Sequence, residues 1–302
     1  MSQRRSLLRY SLLAISLLFS TLLHAAERTL EGAYGPVTLE GAPQRVVALG
    51  DNALDAALSL EVQPVGTLAS RGGDDVPEYL AAKAGDIALV GTVREPNLEA
   101  ILMLQPDLIL ASTELPRALY DKLSLIAPTV VPEGSSFQDW RRIYRTYAQA
   151  LGKPDLADRR IAEIDARVAE LRQRLPDDQQ VSVVRWNPQG PFVMSSHLFV
   201  GQLLDALGLK PNELATQTKR PHTDILSLEN LAKADADWIF LATLNPDGEK
   251  ALEAARQQPA FTRLGAVKND RVVSVDGQIW SSSSGYLAAQ QVLDDVEQAL
   301  LD

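Results

Sequence analysis

Few side chains in this sequence are of a type that makes and breaks bonds. Three histidines occur in 302 residues. His24 lies in an apolar N-terminal run, which leaves His197 and His222 in separate loop-like stretches. There is no cysteine, which removes thiolate nucleophiles, thiolate metal sites and disulfides. No Gly-x-Ser-x-Gly elbow, phosphate-cradling loop or His-Glu-x-x-His helix is found. Ser281, Ser282, Ser283 and Ser284 precede Gly285 but have no base placed for them, so they read as a loop. A directly bound transition metal would gather several His or Cys ligands. The expectation is a binding protein, not an enzyme, with no catalytic residue, no resident cofactor and no metal ligands of its own.

The remaining candidates are polar and aromatic residues placed where strands are predicted to end. In open α/β sheets, ligands bind beyond the carboxyl ends of the strands. Asn52, Arg71 and Arg94 hold such positions in the first half, and Arg185, Trp186, Ser196, His222 and Trp280 in the second. Arginine grips carboxylate or hydroxamate oxygens with parallel N–H bonds, and tryptophan supplies a flat wall with one donor. Arg185 is the sharpest candidate, because Val183-Val184-Arg185-Trp186 is otherwise apolar and a charge in such a strand needs a partner or a strand mouth. The alternative for Arg185 is an internal salt bridge; for the tryptophans, core packing; for Arg94, plain solvation. His222 follows Lys219-Arg220-Pro221, a basic loop suited to an anionic ligand.

Alternating short apolar and helical runs would position these residues. Strands are expected over residues 45–50, 64–68, 87–93, 107–111, 181–186, 238–242 and 271–275, and helices over 52–60, 98–104, 200–207, 252–257 and 286–301. The alternation predicts an α/β fold with largely parallel sheets. Between the halves, residues 154–175 form one uninterrupted helical pattern. Ile161, Ile164, Val168, Leu171 and Leu175 fall at spacings of three and four, which is a single buried stripe. The charged remainder is expected to face solvent. Pro154 suits a first turn and Pro176 a stop. A lobe over 26–153, a joining helix over 154–175 and a lobe over 176–302 follow, in keeping with a chain above single-domain size.

One pattern occurs twice. Residues 98–111 read LEAILMLQPDLILA and residues 228–242 read LENLAKADADWIFLA. In each, Leu-Glu opens a helix, and an aspartate eight residues past the glutamate begins a strand. This pairs Glu99 with Glu229, and Asp107 with Asp237.

The N-terminus has the form of an export signal. Arg4, Arg5 and Arg9 precede an apolar run from Tyr10 to Leu23, ended by His24-Ala25-Ala26. The run falls short of the about 20 residues that span a membrane. Cleavage near Ala25 is expected, by the general or the twin-arginine route. With no cysteine to carry a lipid, a free periplasmic protein is expected. The formal charge is −10; without the three leader arginines it is −13, which disfavours nucleic acid and anionic membranes as partners.

On these residues the chain resembles the periplasmic binding proteins of iron-siderophore, haem and cobalamin ABC importers. The resemblance rests on Pro43-Gln44-Arg45-Val46-Val47-Ala48-Leu49, on Val90-Gly91 with Pro96-Asn97-Leu98-Glu99, and on Pro106-Asp107-Leu108-Ile109. It continues through Leu226-Ser227-Leu228-Glu229-Asn230-Leu231 and the ending from Val267 to Asp276 with Trp280. It implies two Rossmann-like lobes joined by one long helix, acting as a monomer with small closure. It also implies that Glu99 and Glu229 dock on an inner-membrane permease. The stretch Val184 to Gly190 is similar to relatives whose arginine here contacts a carboxylate or hydroxamate siderophore, so ferric citrate-type and hydroxamate chelates lead. The family's other ligand arginine falls on Val93, with Arg94 one residue later. Haem, with His197, His222 or Tyr286 as axial ligand, and cobalamin are the alternatives on the same fold; a secreted hydrolase is the alternative from another class.

Overall fold

The computed structural model describes residues 27–135 and 138–301; the expected leader lies outside them. Among the described residues no helix is long and apolar enough to cross a membrane. The chain begins with an antiparallel hairpin that the periodicity did not announce, β1 (Glu27–Gly32) and β2 (Gly35–Glu40).

Two five-stranded sheets follow. The first has the order β5-β4-β3-β6-β7, all parallel, from β3 (Val46–Leu49), β4 (Gly66–Ala69), β5 (Ala88–Thr92), β6 (Leu108–Ala111) and β7 (Thr129–Val130). Central β3 and β6 are buried along their whole length, the expected look of parallel strands covered on both faces. The second sheet runs β10-β8-β11-β12 in parallel: β8 (Gln180–Asn187), β10 (Lys210–Pro211), β11 (Trp238–Thr243) and β12 (Val272–Asp276). β9 (Gly190–Val193) folds back antiparallel on the far half of β8.

The helix Pro154–Arg174 joins the lobes, with Pro154 in its first turn. Its 21 residues make a rod of about 32 Å at the usual rise. Ala157, Ile161, Ile164, Val168 and Leu171 are buried. They belong to one apolar cluster that runs from Val46 and Leu108 of the first lobe to Val183 and Val292 of the second.

The charged face of this helix is exposed, as expected, and it also carries ion pairs to the helices beside it. Arg141 and Arg145, on the helix Trp140–Leu151, reach Asp165 at 2.6 Å and Asp158 at 2.8 Å. On the other side Arg167 pairs with Asp294, and Arg174 with Glu297 at 2.6 Å, both acids lying on the closing helix Tyr286–Leu301. Each exposed pair contributes little alone. As a set they link the joining rod to the helices that flank it.

The repeated pattern has a structural meaning. Asp107 accepts the backbone N–H of Gln44 at 2.7 Å and of Arg45 at 2.9 Å, at the entrance to β3. Asp237 accepts that of Gln180 at 2.8 Å, at the entrance to β8. In both lobes the carboxylate that begins one strand ties down the start of its neighbour.

Candidate functional site

The parallel strands of each sheet end on one edge, and four charged residues collect at these edges. Asp51 follows β3 and opens the helix Asp51–Ser59; Arg71 follows β4; Arg185 is near the end of β8; Asp276 ends β12. Burial pushes the Asp51 carboxyl up to about 6, with the charge of Arg71 pulling it down and that of Asp276 adding to the rise. The Arg185 guanidinium is lowered from its ordinary value, first by burial and then by the charge of Arg71. Arg71, from the first lobe, thus lies within electrostatic reach of Asp51 on its own side and Arg185 on the other.

Arg185 is 8% exposed. Its guanidinium lies over the Phe192 ring, 5.3 Å from the centroid. Its buried Nε meets no acceptor among the described residues, and no carboxylate pairs with it there. The internal salt bridge weighed from sequence is not what the structure builds. Phe192 stands opposite Arg185 in the β8–β9 register, and its other neighbour is the His222 ring, 4.4 Å away and tilted by 55°. The His222 Nδ1 lies 2.7 Å from the Thr223 carbonyl; a carbonyl only accepts, so Nδ1 carries the proton of that bond.

The other candidates separate. Trp186 points to the opposite face of β8, as the two-residue period of a strand requires. It is buried in the outer core, edge-on to Phe261 at 6.1 Å. Trp280 is 1% exposed, stacked on Phe240 at 4.4 Å, with its indole N–H donated to Asp295 at 2.7 Å. Its indole is therefore a packed core group, not a wall of the charged cleft. Arg94 stands on the exposed Thr92–Glu95 turn after edge strand β5, and no hydrogen bond or ion pair of its side chain is found among the described residues. Ser196 donates to the Ala215 carbonyl at 3.3 Å and lines a cavity of about 540 Å³ with His197 and Thr216; Arg185 does not line it. The lining of that cavity is mostly neutral. We place the site where the unpaired cation is buried. Tyr286 is occupied by donating to Glu163 at 2.6 Å.

Asn52 acts between the lobes, its Oδ1 accepting the Ser284 N–H at 3.3 Å. One turn on, the fully buried Asp55 accepts the N–H groups of Leu287 at 3.1 Å and Ala288 at 2.9 Å, at the start of the closing helix. A first-lobe carboxylate thereby caps a second-lobe helix. Gly285 is obligatory here: φ is +156° and an added Cβ would lie 2.4 Å from the Asp55 Cγ. Burial pushes Asp55 up to about 7, against the opposing pull of these N–H groups. Gln278 of the second lobe donates to the Arg71 carbonyl, so Arg71 is held from across the cleft. Phe192, Gln278, Asp55 and Asp276 escaped the sequence reading. A register of β8 against β9 would have found Phe192; the others are neighbours only in the folded chain.

Glu99 and Glu229 are both exposed, and neither forms an ion pair among the described residues. Glu99 is in the helix Leu98–Met103, whose Asn97 side chain accepts the Ala100 N–H at 3.0 Å. Glu229 is in the expected helical segment, which takes the 3-10 form over Leu228–Ala234. Its flanking Ser227 hydroxyl is engaged by the Asn230 amide at 3.0 Å and caps no backbone N–H.

Comparison with known proteins gives a consistent picture. A family model described as periplasmic binding protein matches residues 47–279. The "Probable siderophore-binding lipoprotein YfiY" of Bacillus subtilis is 34% identical over 286 residues, covering 91% of this chain and 88% of that one. The "Fe(3+) dicitrate-binding periplasmic protein FecB" of Escherichia coli is 27% identical, covering 93% and 94%. Among solved structures, Staphylococcus aureus SirA complexed with staphyloferrin B superposes with a TM-score of 0.77 at 29% identity, covering 90% of this chain and 98% of that one.

Proposed function

Since the chain belongs to the periplasmic binding protein family, we propose that it captures a ferric siderophore between its lobes and delivers it to an ABC importer. Arg185 carries this reading. A buried guanidinium without a carboxylate is costly, and it is explained if an anionic ligand completes it. Arg71 adds a second cation from the facing lobe, and the His222 Nε2 a further polar contact beside Phe192. Oxygen-rich anionic chelates of the citrate or hydroxamate type fit two converging guanidinium groups best. Residues 26–153 and 176–302 serve as the lobes and 154–175 as the joining helix. Glu99 and Glu229 meet basic residues of the permease. The chain acts in the periplasm after removal of its leader, as a monomer, and catalyses no reaction.

Tryptophan-fluorescence titration of the purified protein tests this. Saturable quenching by ferric citrate or a ferric hydroxamate, with weaker binding of ferric catecholates, haem and cobalamin, is expected. Tight binding of haem or cobalamin with no response to ferric chelates would overturn it.

A further inference from the structure

Among the described residues seven large apolar side chains are exposed, and four of them, Leu102, Met103, Ile225 and Leu228, lie within four residues of Glu99 or Glu229. On the helix Leu98–Met103, Ile101 is buried and Leu98 packs inward. Glu99, Leu102 and Met103 stand at i, i+3 and i+4, so they share the outward face. Leu102 is 57% and Met103 79% exposed. The first lobe therefore presents an apolar knob beside its glutamate.

The second lobe presents the reverse shape. Ile225 and Leu228 line a surface groove of about 340 Å³, together with Trp186, Pro191, Ala251 and Ala254. Ile225 closes over Gly190, where an added Cβ would come within 2.9 Å of its Cγ2. Glu229 directly follows Leu228 in the chain.

We infer that these two features are one docking surface for the importer permease, with Met103 and Leu102 entering a hollow of the permease and the groove beside Glu229 receiving an apolar side chain from it. The inference rests on the docking role proposed for the glutamates. Each apolar feature is continuous with a glutamate that has no ion-pair partner among the described residues, which suits a partner offering a basic residue next to an apolar one. A lipid surface fits poorly, because the chain carries a net charge of −10 and each apolar feature adjoins an acid. Exposed apolar patches rimmed by polar residues mark protein contacts, and anchors buried in pockets supply most of the energy of such contacts. The shape difference also has a consequence. Glu99 and Glu229 are matched by the internal repeat, so a partner reading only the charges would accept the chain in two opposed orientations. A knob on one lobe and a groove on the other make those orientations unequal.

The sequence has no cysteine, so single-cysteine variants take a benzophenone label at one place. Met103→Cys, Ala254→Cys, Asn230→Cys and, on the joining helix, which packs in a different apolar cluster from both glutamate segments, Arg159→Cys are labelled and illuminated with spheroplasts of the bacterium that encodes the chain. Products are identified by mass spectrometry. Labels at 103 and 254 are expected to attach to an ABC permease at two different peptides, and the label at 159 is not. Adding Ala254→Trp to fill the groove is expected to lower the product from Asn230→Cys about tenfold, the effect of roughly 1.4 kcal/mol, with ferric chelate binding unchanged. A permease product from position 230 but not from both 103 and 254 overturns the knob and groove while leaving glutamate docking intact. No permease product from any position removes the docking role as well. Co-sedimentation with anionic phospholipid vesicles, lost in Met103→Ser, would assign the apolar patch to the membrane instead and overturn the inference.

Discussion

The two lobes solve the same problem with unequal parts. In each, a glutamate opens a crossover segment and an aspartate eight residues later ties the start of the neighbouring strand. Yet the first crossover is an α-helix capped by Asn97, and the second is a 3-10 helix whose Ser227 is diverted to Asn230. The first lobe contributes an exposed arginine, Arg71, and the second a buried one, Arg185. A repeated backbone plan therefore does not enforce repeated chemistry. The strand-tying carboxylate is retained in both, while caps, shape and the burial of the cationic group differ.

Reversal of both docking residues, Glu99→Lys with Glu229→Lys, should have the largest effect. Uptake of the iron chelate by cells should be abolished while fluorescence titration shows unchanged affinity; undiminished uptake would dismiss docking through the matched pair. Next is the contrast between the arginines. Arg185→Met should weaken chelate binding about a hundredfold, the loss of a charge-assisted contact in a buried place. Its urea midpoint should hold or rise, because a buried unpaired charge has been removed. Arg71→Ala should weaken binding about tenfold or less, since its exposed charge is screened by water. Equal losses would mean that the lobes do not differ as their burial suggests.

The cap joining the lobes comes third. Asp55→Ala leaves buried N–H groups of the closing helix unpaired and should cost about 2 kcal/mol of unfolding free energy. The sign of its pH dependence is set by linkage. The native carboxyl, pushed up to about 7, keeps its proton above the unfolded value of about 4, so the native state binds more protons between those values. This group's contribution to stability is therefore present in full below about pH 4 and declines as pH rises to about 7. Asp55→Asn should flatten that slope in denaturation curves; an unchanged slope would assign it to other groups. The smallest effect separates the repeated aspartates. Asp107→Ala, losing two backbone bonds, should cost about 1.5 kcal/mol and Asp237→Ala, losing one, about half as much.

Much of the architecture was readable from spacing. Buried strands announce themselves as apolar runs, and the joining helix as a three-and-four stripe between two prolines. Arg185 was legible because a charge in an apolar strand requires an explanation. Trp186 and Trp280 were not, since tryptophan is chemically suited both to a core and to a pocket wall. Its neighbours decide: Phe261 for Trp186, and Phe240 with Asp295 for Trp280. The charged face of the joining helix read as solvated and is exposed, but its ion pairs were not legible, because the acids and arginines that meet it come from helices on either side of it in sequence.

The sequence by itself determined the two α/β halves, the helix between them, the matched Glu99 and Glu229, and Arg185 as the cation to be explained. These follow from periodicity and from the cost of placing charge among apolar residues, which are local properties of the chain. Only the tertiary structure decided that Arg185 has no counter-charge among the described residues, that Arg71 faces it held by Gln278, and that Asp55 caps a helix more than 230 residues away. Hydrogen bonds and Coulomb forces act over a few ångströms in space, and residues distant in sequence reach that range only once the lobes have packed.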